Sequence, residues 1–324
     1  PTTSSAASDV YKRQLINLYL ATEDESYATF LEDTFDTICE HFPDYEYSPF
    51  MNEKFYKDWS HDLKWGIHQA RCVVGHNLKV AWNLTRMHSL KPKESYKDFA
   101  HQIADAIPGA GCDNQRGGWY DMMERTLKEG EENHRLVWHD RKAWWQQEQG
   151  ILAYYIMAGV YNDKPEYLNF AREGTAFYNG WFLDYEEGGI YFNVLANGQP
   201  YALGTERGKG SHSMAGYHSF ELCYLAAIYT NLLIKKQSMD FYFCPEPNAW
   251  ENNILRVAPD LLPKGSIELS EVWIEGKSYK DFDKEKMHIF LPESEKSLKI
   301  RCRIAPVGIS CLLYTSPSPR DAIP

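Results

Sequence analysis

Runs of roughly 18 uncharged apolar residues, the length of a membrane-crossing helix, are missing from these 324 residues. The longest apolar stretch, Leu222 to Ile234, is interrupted by Tyr224, Thr230 and Asn231, so no membrane span is expected. Basic charge is also short: 34 Lys and Arg face 45 Asp and Glu, a net charge of −11. Neutralising phosphates needs the opposite balance, which argues against a general nucleic-acid binder. The seven cysteines are odd in number, scattered and free of any CxxC pair. That pattern reads as reduced thiols in a cytoplasmic setting, with neither a disulfide framework nor a zinc site. No HExxH, GxGxxG or P-loop occurs; His134 and His139 lack ligand spacing, and Gly204 to Gly210 (GTERGKG) imitates a phosphate loop poorly. No metal and no cofactor are expected.

What is present is ordinary globular material, 44% hydrophobic and 24% charged, with an unusual wealth of rings: Trp 10, Tyr 22 and Phe 15. Some of these are expected to form a platform for a flat or ring-shaped ligand. Both ends look foreign. Residues 1–14 (PTTSSAASDVYKRQ) and 311–324 (CLLYTSPSPRDAIP) are Ser/Pro-rich and share no periodicity with their neighbours, and they read as non-native tails. Between them, 15–237 reads as helical and 238–310 as a small β domain.

The helical part is built of stripes. Tyr27, Phe30, Leu31, Phe35, Ile38, Cys39 and Phe42 recur at helical spacing, closed by Pro43, with Ser26 as the expected N-cap. A buried helix is expected from near His76 through Leu78, Ala81, Trp82 and Met87, followed by a one-sided helix from Tyr96 to Ile107 that ends at Pro108. Gly117 to Arg125 reads as a hairpin, Trp144 to Tyr161 as a buried helix, Pro165 to Phe182 as an amphipathic one, Gly188 to Gly198 as a second hairpin and Tyr217 to Ile234 as a last apolar helix. Buried helices therefore start roughly every 70 residues, which suggests a ring of inner and outer helices. After Ser238 the period falls to two: Met239–Cys244, Ile254–Val257, Ser266–Ile274 and Ser297–Ile304 read as strands, with Glu275-Gly276-Lys277 as a turn.

His76 opens a buried helix after a long loop, where the positive potential of the helix N-terminus keeps an imidazole neutral. A lone histidine there more often packs or caps. A second one stands at an equivalent place, Tyr217-His218, with His212 just before it. Two imidazoles entering one cavity from two inner helices meet the demand of a proton shuttle. Trp144 and Trp145, followed by Gln147, Glu148 and Gln149, suit a sugar whose apolar face stacks on indole while amides bond its hydroxyls, although core aromatics are commoner. Trp119, Tyr120, Tyr191 and Phe192 on the hairpins would rim the same mouth. Asp121, Glu124 and Asp184 supply carboxylates of the kind a glycoside hydrolase pairs, though such loop acids are usually only solvated.

From about Leu15 to Ile234 these residues resemble the N-acylglucosamine 2-epimerase family, which includes cellobiose 2-epimerases and related aldose–ketose isomerases. The resemblance runs through Phe55 to Trp59, Gly75-His76 with Ala81-Trp82, Lys142-Ala143-Trp144-Trp145 with Gln147, Gly188-Gly189, Lys209-Gly210 and Tyr217-His218. It implies a mainly α protein, a partial (α/α)6 barrel holding about half of the ring, followed here by the β domain. It further implies His76 and His218 as the catalytic pair, with His212 as competitor for the second place. Trp144, Trp145, Gln147, Trp119 and Tyr191 would bind a mono- or disaccharide, whose C2 proton moves through an enediol(ate). The full-length form is expected to pair as a homodimer. The sequence departs from the family pattern in three places: Lys79 where Glu is common, Glu148-Gln149 where Ala-Glu is usual, and Glu221 where an Arg often follows. The alternatives left open are a glycoside hydrolase on a similar barrel, using Asp121 or Asp184, and a carbohydrate-binding relative without turnover.

Overall fold

The computed structural model describes residues 5–61, 71–137, 139–204, 207–211 and 214–308. Helix α1 (Ser5–Thr22) crosses position 14, where the foreign tail was expected to end, and packs on α2 (Glu25–His41). The α2 stripe buries Ala28, Leu31, Phe35 and Ile38, each large apolar side chain contributing about 1.5–3 kcal/mol. Its cap is not Ser26 as expected but Asp24, two positions earlier in the same polar cluster, whose carboxylate accepts from the Ser26 N–H at 2.9 Å. Next come β1 (Arg71–Val73), α3 (Val74–Leu90) and α4 (Glu94–Ala110). The expected stop at Pro108 is wrong by two residues. Proline there forfeits one hydrogen bond in the last turn, and Gly111 N–H still closes on the Ile107 carbonyl at 2.7 Å.

Strands β2 (Met122–Glu124) and β3 (Arg141–Ala143) precede α5 (Trp144–Val160) and α6 (Pro165–Trp181), and β4 (Asn193–Leu195) precedes α7 (Tyr217–Ile228), which ends in a π-helical turn, Tyr229–Ile234. Helix α3 packs on α4 and α5, and α5 on α6 and α7, so α3, α5 and α7 form an inner wall with α2, α4 and α6 outside. The expected hairpin at Gly117 to Arg125 does not pair with itself. Strand β2 joins β1 from the preceding repeat (Cys72↔Met123), and β4 joins β3 (Lys142↔Val194), so strands stitch neighbouring loops. Nor is α7 buried all round: His218, Leu225 and Ile228 are covered, whereas Tyr217, Phe220 and Tyr224 stand out on its free flank.

One loop design recurs three times. Two residues after each outer helix cap (Phe42, Gly111, Phe182) stands an aspartate, Asp44, Asp113 or Asp184, that accepts N–H bonds from its own loop. Each carboxylate is then clamped by a cation from further along the chain: Arg125, Lys142 or Lys209. Both lysines also donate to a glycine carbonyl, Gly117 or Gly188, in loops whose paired glycines lie at φ of +77° to +88°, a region costly for any L side chain.

The β part holds a four-stranded antiparallel sheet, ordered β5 (Met239–Phe243), β11 (Ile300–Pro306), β7 (Ile267–Ile274), β8 (Lys277–Tyr279). A smaller sheet of β6 (Ile254–Arg256), β10 (His288–Phe290) and β9 (Phe282–Asp283) faces it across Leu255, Leu269, Val272, Ile289 and Cys302. The β7–β8 turn carries Glu275 and Gly276 at φ 50° and 75°, the left-handed pair a tight hairpin needs. Leu261, Ile267 and Ile304 belong to the same apolar core as the helices. The joint is ionic as well. Arg86, near the end of α3, meets Asp260 through paired bonds, Asn83 braces the guanidinium, and Tyr229 O–H donates to the same carboxylate at 2.9 Å. Among the described residues no helix is long and apolar enough to cross a membrane.

Candidate active site

The short strands decide where the inner helices begin. Val74 N–H donates to the Asp121 carbonyl and Trp144 N–H to that of Phe192 at 2.9 Å, so α3 and α5 start at one level beside their loops. The first turns of α3, α5 and α7 then carry His76, the Trp144-Trp145 pair and His218 to the same end of the wall. Trp145 touches both imidazoles, with ring centroids 5.2 Å from His76 and 5.9 Å from His218. Trp144 lies deeper, packed on Phe192 and edge-on to His218.

The two histidines are held differently. His76 Nδ1 lies 2.9 Å from Glu53 Oε2; a carboxylate only accepts, so Nδ1 carries a proton, and in the neutral ring Nε2 keeps the lone pair. His218 Nδ1 lies 3.1 Å from Gln149 Nε2. The orientation of that amide is dictated by Trp82, whose indole N–H, a donor only, meets Gln149 Oε1 at 3.0 Å. The amide NH2 therefore donates to His218 Nδ1, and the neutral ring carries its proton on Nε2. The pair presents opposite tautomers.

Gly75 lets the two helix starts meet. Its N–H donates to Gln146 Oε1 at 2.6 Å, and a Cβ would sit 2.8 Å from both the Trp145 ring and Gln146. Gly75→Ala is expected to cost about 1–3 kcal/mol through overpacking and to push Trp145 off the histidines. A melting curve, together with Trp fluorescence of the variant, checks both effects.

Three of the expected ligand contacts lie elsewhere. Gln147 is fully buried and clasps Trp119 N–H and C=O at 2.8 and 2.7 Å. Trp119, 1% exposed, fills the space left by Gly150 and Gly174. Both hold the loop to the wall. Tyr191 faces Asp184 and Lys209. His212 lies outside the described residues. Asp121 accepts from Arg141 and Gln146, and hydrogen bonds from Lys209 and the loop N–H groups hold Asp184 at about 2, far below the range of a general acid. Glu53 is the residue that sequence reasoning missed, and Gln149, expected to bond sugar hydroxyls, instead holds His218. Gln149 stands four positions after Trp145, on the same helical face, whereas Gln147 points away; Glu53 sits in a loop with no periodic signal. The departure at Lys79 is offset here, because the carboxylate that orients His76 comes from Glu53.

Beside His218, Ser219 donates to Glu148 at 2.6 Å and Tyr178 does so at 2.7 Å, so one buried carboxyl joins α5, α6 and α7. Burial pushes this carboxyl up to about 7; the bonds from Ser219 and Tyr178 oppose the rise and the charge of Glu221 adds to it. The folded state therefore binds a proton that the unfolded chain, at its ordinary 4.5, releases. Stability is expected to fall as pH rises from 4.5 through 7, by about 3 kcal/mol. Denaturant titrations of Glu148→Gln, which keeps the acceptor oxygen, should lose that slope and exceed the parent at pH 8.

Inner and outer helices joined by stitched loops define an (α/α)6-type barrel, of which this chain holds about half the ring. The chain matches the N-acylglucosamine 2-epimerase (GlcNAc 2-epimerase) family over residues 13–218 and belongs to that family. Among solved structures it is similar to cellobiose 2-epimerase from Bacillus thermoamylovorans, with 21% identity and a TM-score of 0.54 over 66% of this chain and 50% of that one. A D-mannose isomerase (18% identity, TM-score 0.58) is matched over 70% of this chain and 57% of its own length. A sugar epimerase from a ruminal bacterium (14%, TM-score 0.55) is matched over 70% and 53%. The chain thus spans about half the length of these structures. No curated protein matches it.

Proposed function

We propose that the site interconverts sugars by moving the proton at C2 of an open-chain aldose. His76 Nε2 takes the C2 proton, and the electron pair passes through an enediol(ate) whose negative charge rests on the C1 oxygen. The Nε2–H of His218 returns a proton, to C2 from the opposite face for epimerisation or, as the O2 proton passes to O1, to C1 for ketose formation; the proton taken up by His76 then returns through solvent to His218 and resets the pair. The observation that carries this reading is the opposed tautomer pair against Trp145, because inversion needs base and acid ready at once. The indole offers an apolar face to a mono- or disaccharide. Family membership and the epimerase and isomerase folds support the sugar class. Free thiols at all six described cysteines support a reducing, cytoplasmic setting.

The test is incubation of the longest native form containing this chain with aldoses in D2O, reading C2 deuterium and the epimer or ketose by NMR. Product formation lost in both His76→Ala and His218→Ala is expected. Unchanged turnover in both variants rejects the shuttle.

A further inference from the structure

On β11, Ile300 and Cys302 point into the β core while Arg301 and Arg303, with Lys299 just before the strand, take the other face. One row of that outer face is ordinary: Arg303 bonds Asp240 at 2.7 Å and Glu271 at 3.0 Å. The adjacent row is not. Arg301 pairs in register with Tyr242 on β5 and Trp273 on β7, placing two large rings where a solvent-facing sheet normally carries polar side chains. Tyr242 is 71% exposed. Together with Cys244 and Lys299 these residues line a basin of about 640 Å³, inside the range of small-ligand sites.

The Arg301 guanidinium sits over Trp273, its Cζ 3.7 Å from the ring centroid. Its in-plane N–H donors have the fork geometry that suits carboxylate or phosphate. Its acidic neighbour Asp240 stands at 3.9 Å, beyond hydrogen-bond length, and already bonds Arg303 twice. In a chain of net charge −11, a cationic basin walled by rings selects a ligand with an apolar face and an anionic group.

We propose that this basin binds an anionic pyranose, a hexuronate or a sugar phosphate, with the acid group on Arg301 and Lys299 and the apolar sugar face against Tyr242. The sugar class rests on the reading of the chain as a sugar-converting protein; the anion and the place do not. Titration of the full chain with glucuronate, glucose 6-phosphate and glucose, followed by Trp fluorescence and by NMR of the ligand, tests it. Sub-millimolar binding of one or both anions is expected, with glucose at least about tenfold weaker, and weakening of about tenfold or more in Arg301→Gln and in Tyr242→Ala. The two arms separate carboxylate from phosphate as the group recognised. These side chains lie on the outer face, so both variants should melt like the parent. His218→Ala should bind the anion normally, which separates this site from the barrel mouth. No binding up to about 10 mM, equal binding of glucose, or full binding by both basin variants overturns the proposal.

Discussion

Alanine at His76 or His218 is expected to slow formation of the C2 epimer or ketose by about 10² to 10⁴ fold, the usual worth of a positioned acid or base, or roughly 3–5 kcal/mol of barrier. The two variants should differ in what survives. With the sugar whose C2 proton faces His76, His218→Ala still has its base, so deuterium can enter C2 and leave again without inversion. His76→Ala loses entry as well. A residual exchange uncoupled from inversion in His218→Ala alone is therefore the signature of two bases on opposite faces. Equal loss of both readouts in both variants would point to a single shared base. The geometry behind this prediction is local: Glu53 sets one tautomer and Trp82, through Gln149, sets the other.

The second large effect is one of stability. Arg86 is 4% exposed and Asp260 is 4% exposed. Burial opposes the guanidinium charge, and Asp260 outweighs that penalty, holding Arg86 above its ordinary range. Arg86→Met strands the carboxylate without its cation and is expected to cost about 3–5 kcal/mol. Asp260 also receives Tyr229, so the loss reaches both the π-helical turn and the link to the sheets. Adding Asp260→Leu should recover most of that loss, because two matched apolar groups need no compensation. Denaturant unfolding of the parent, both single variants and the double variant decides it. A double variant as unstable as Arg86→Met would assign the cost to packing on Trp82 instead.

Much of this architecture was legible because one-sided burial writes itself as a 3.6-residue stripe, as in Tyr96 to Ile107, and because outward charges alternate with Ile300, Cys302 and Ile304. Ends were less legible. Asp24 and Ser26 are both good caps in one polar cluster, and a stripe cannot choose between them. Strand pairing failed for a different reason: paired glycines announce a turn but not a partner, and the partner of β2 came from the previous repeat. The Arg86–Asp260 joint spans 174 positions and leaves no local trace. At the mouth, His76, His218 and Trp145 could be read from their places at helix starts. Glu53 could not, since a loop acid has no period to betray its direction.

The aspartate staples have a consequence for how the chain matures on the ribosome. Asp44 waits 81 positions for Arg125, Asp113 waits 29 for Lys142, and Asp184 waits 25 for Lys209. Every loop is thus completed by material synthesised after it, so a newly emerged hairpin stays unfinished until its successor leaves the exit tunnel. Assembly is therefore expected to run from the amino end, each loop closing only when the cation of the next has emerged.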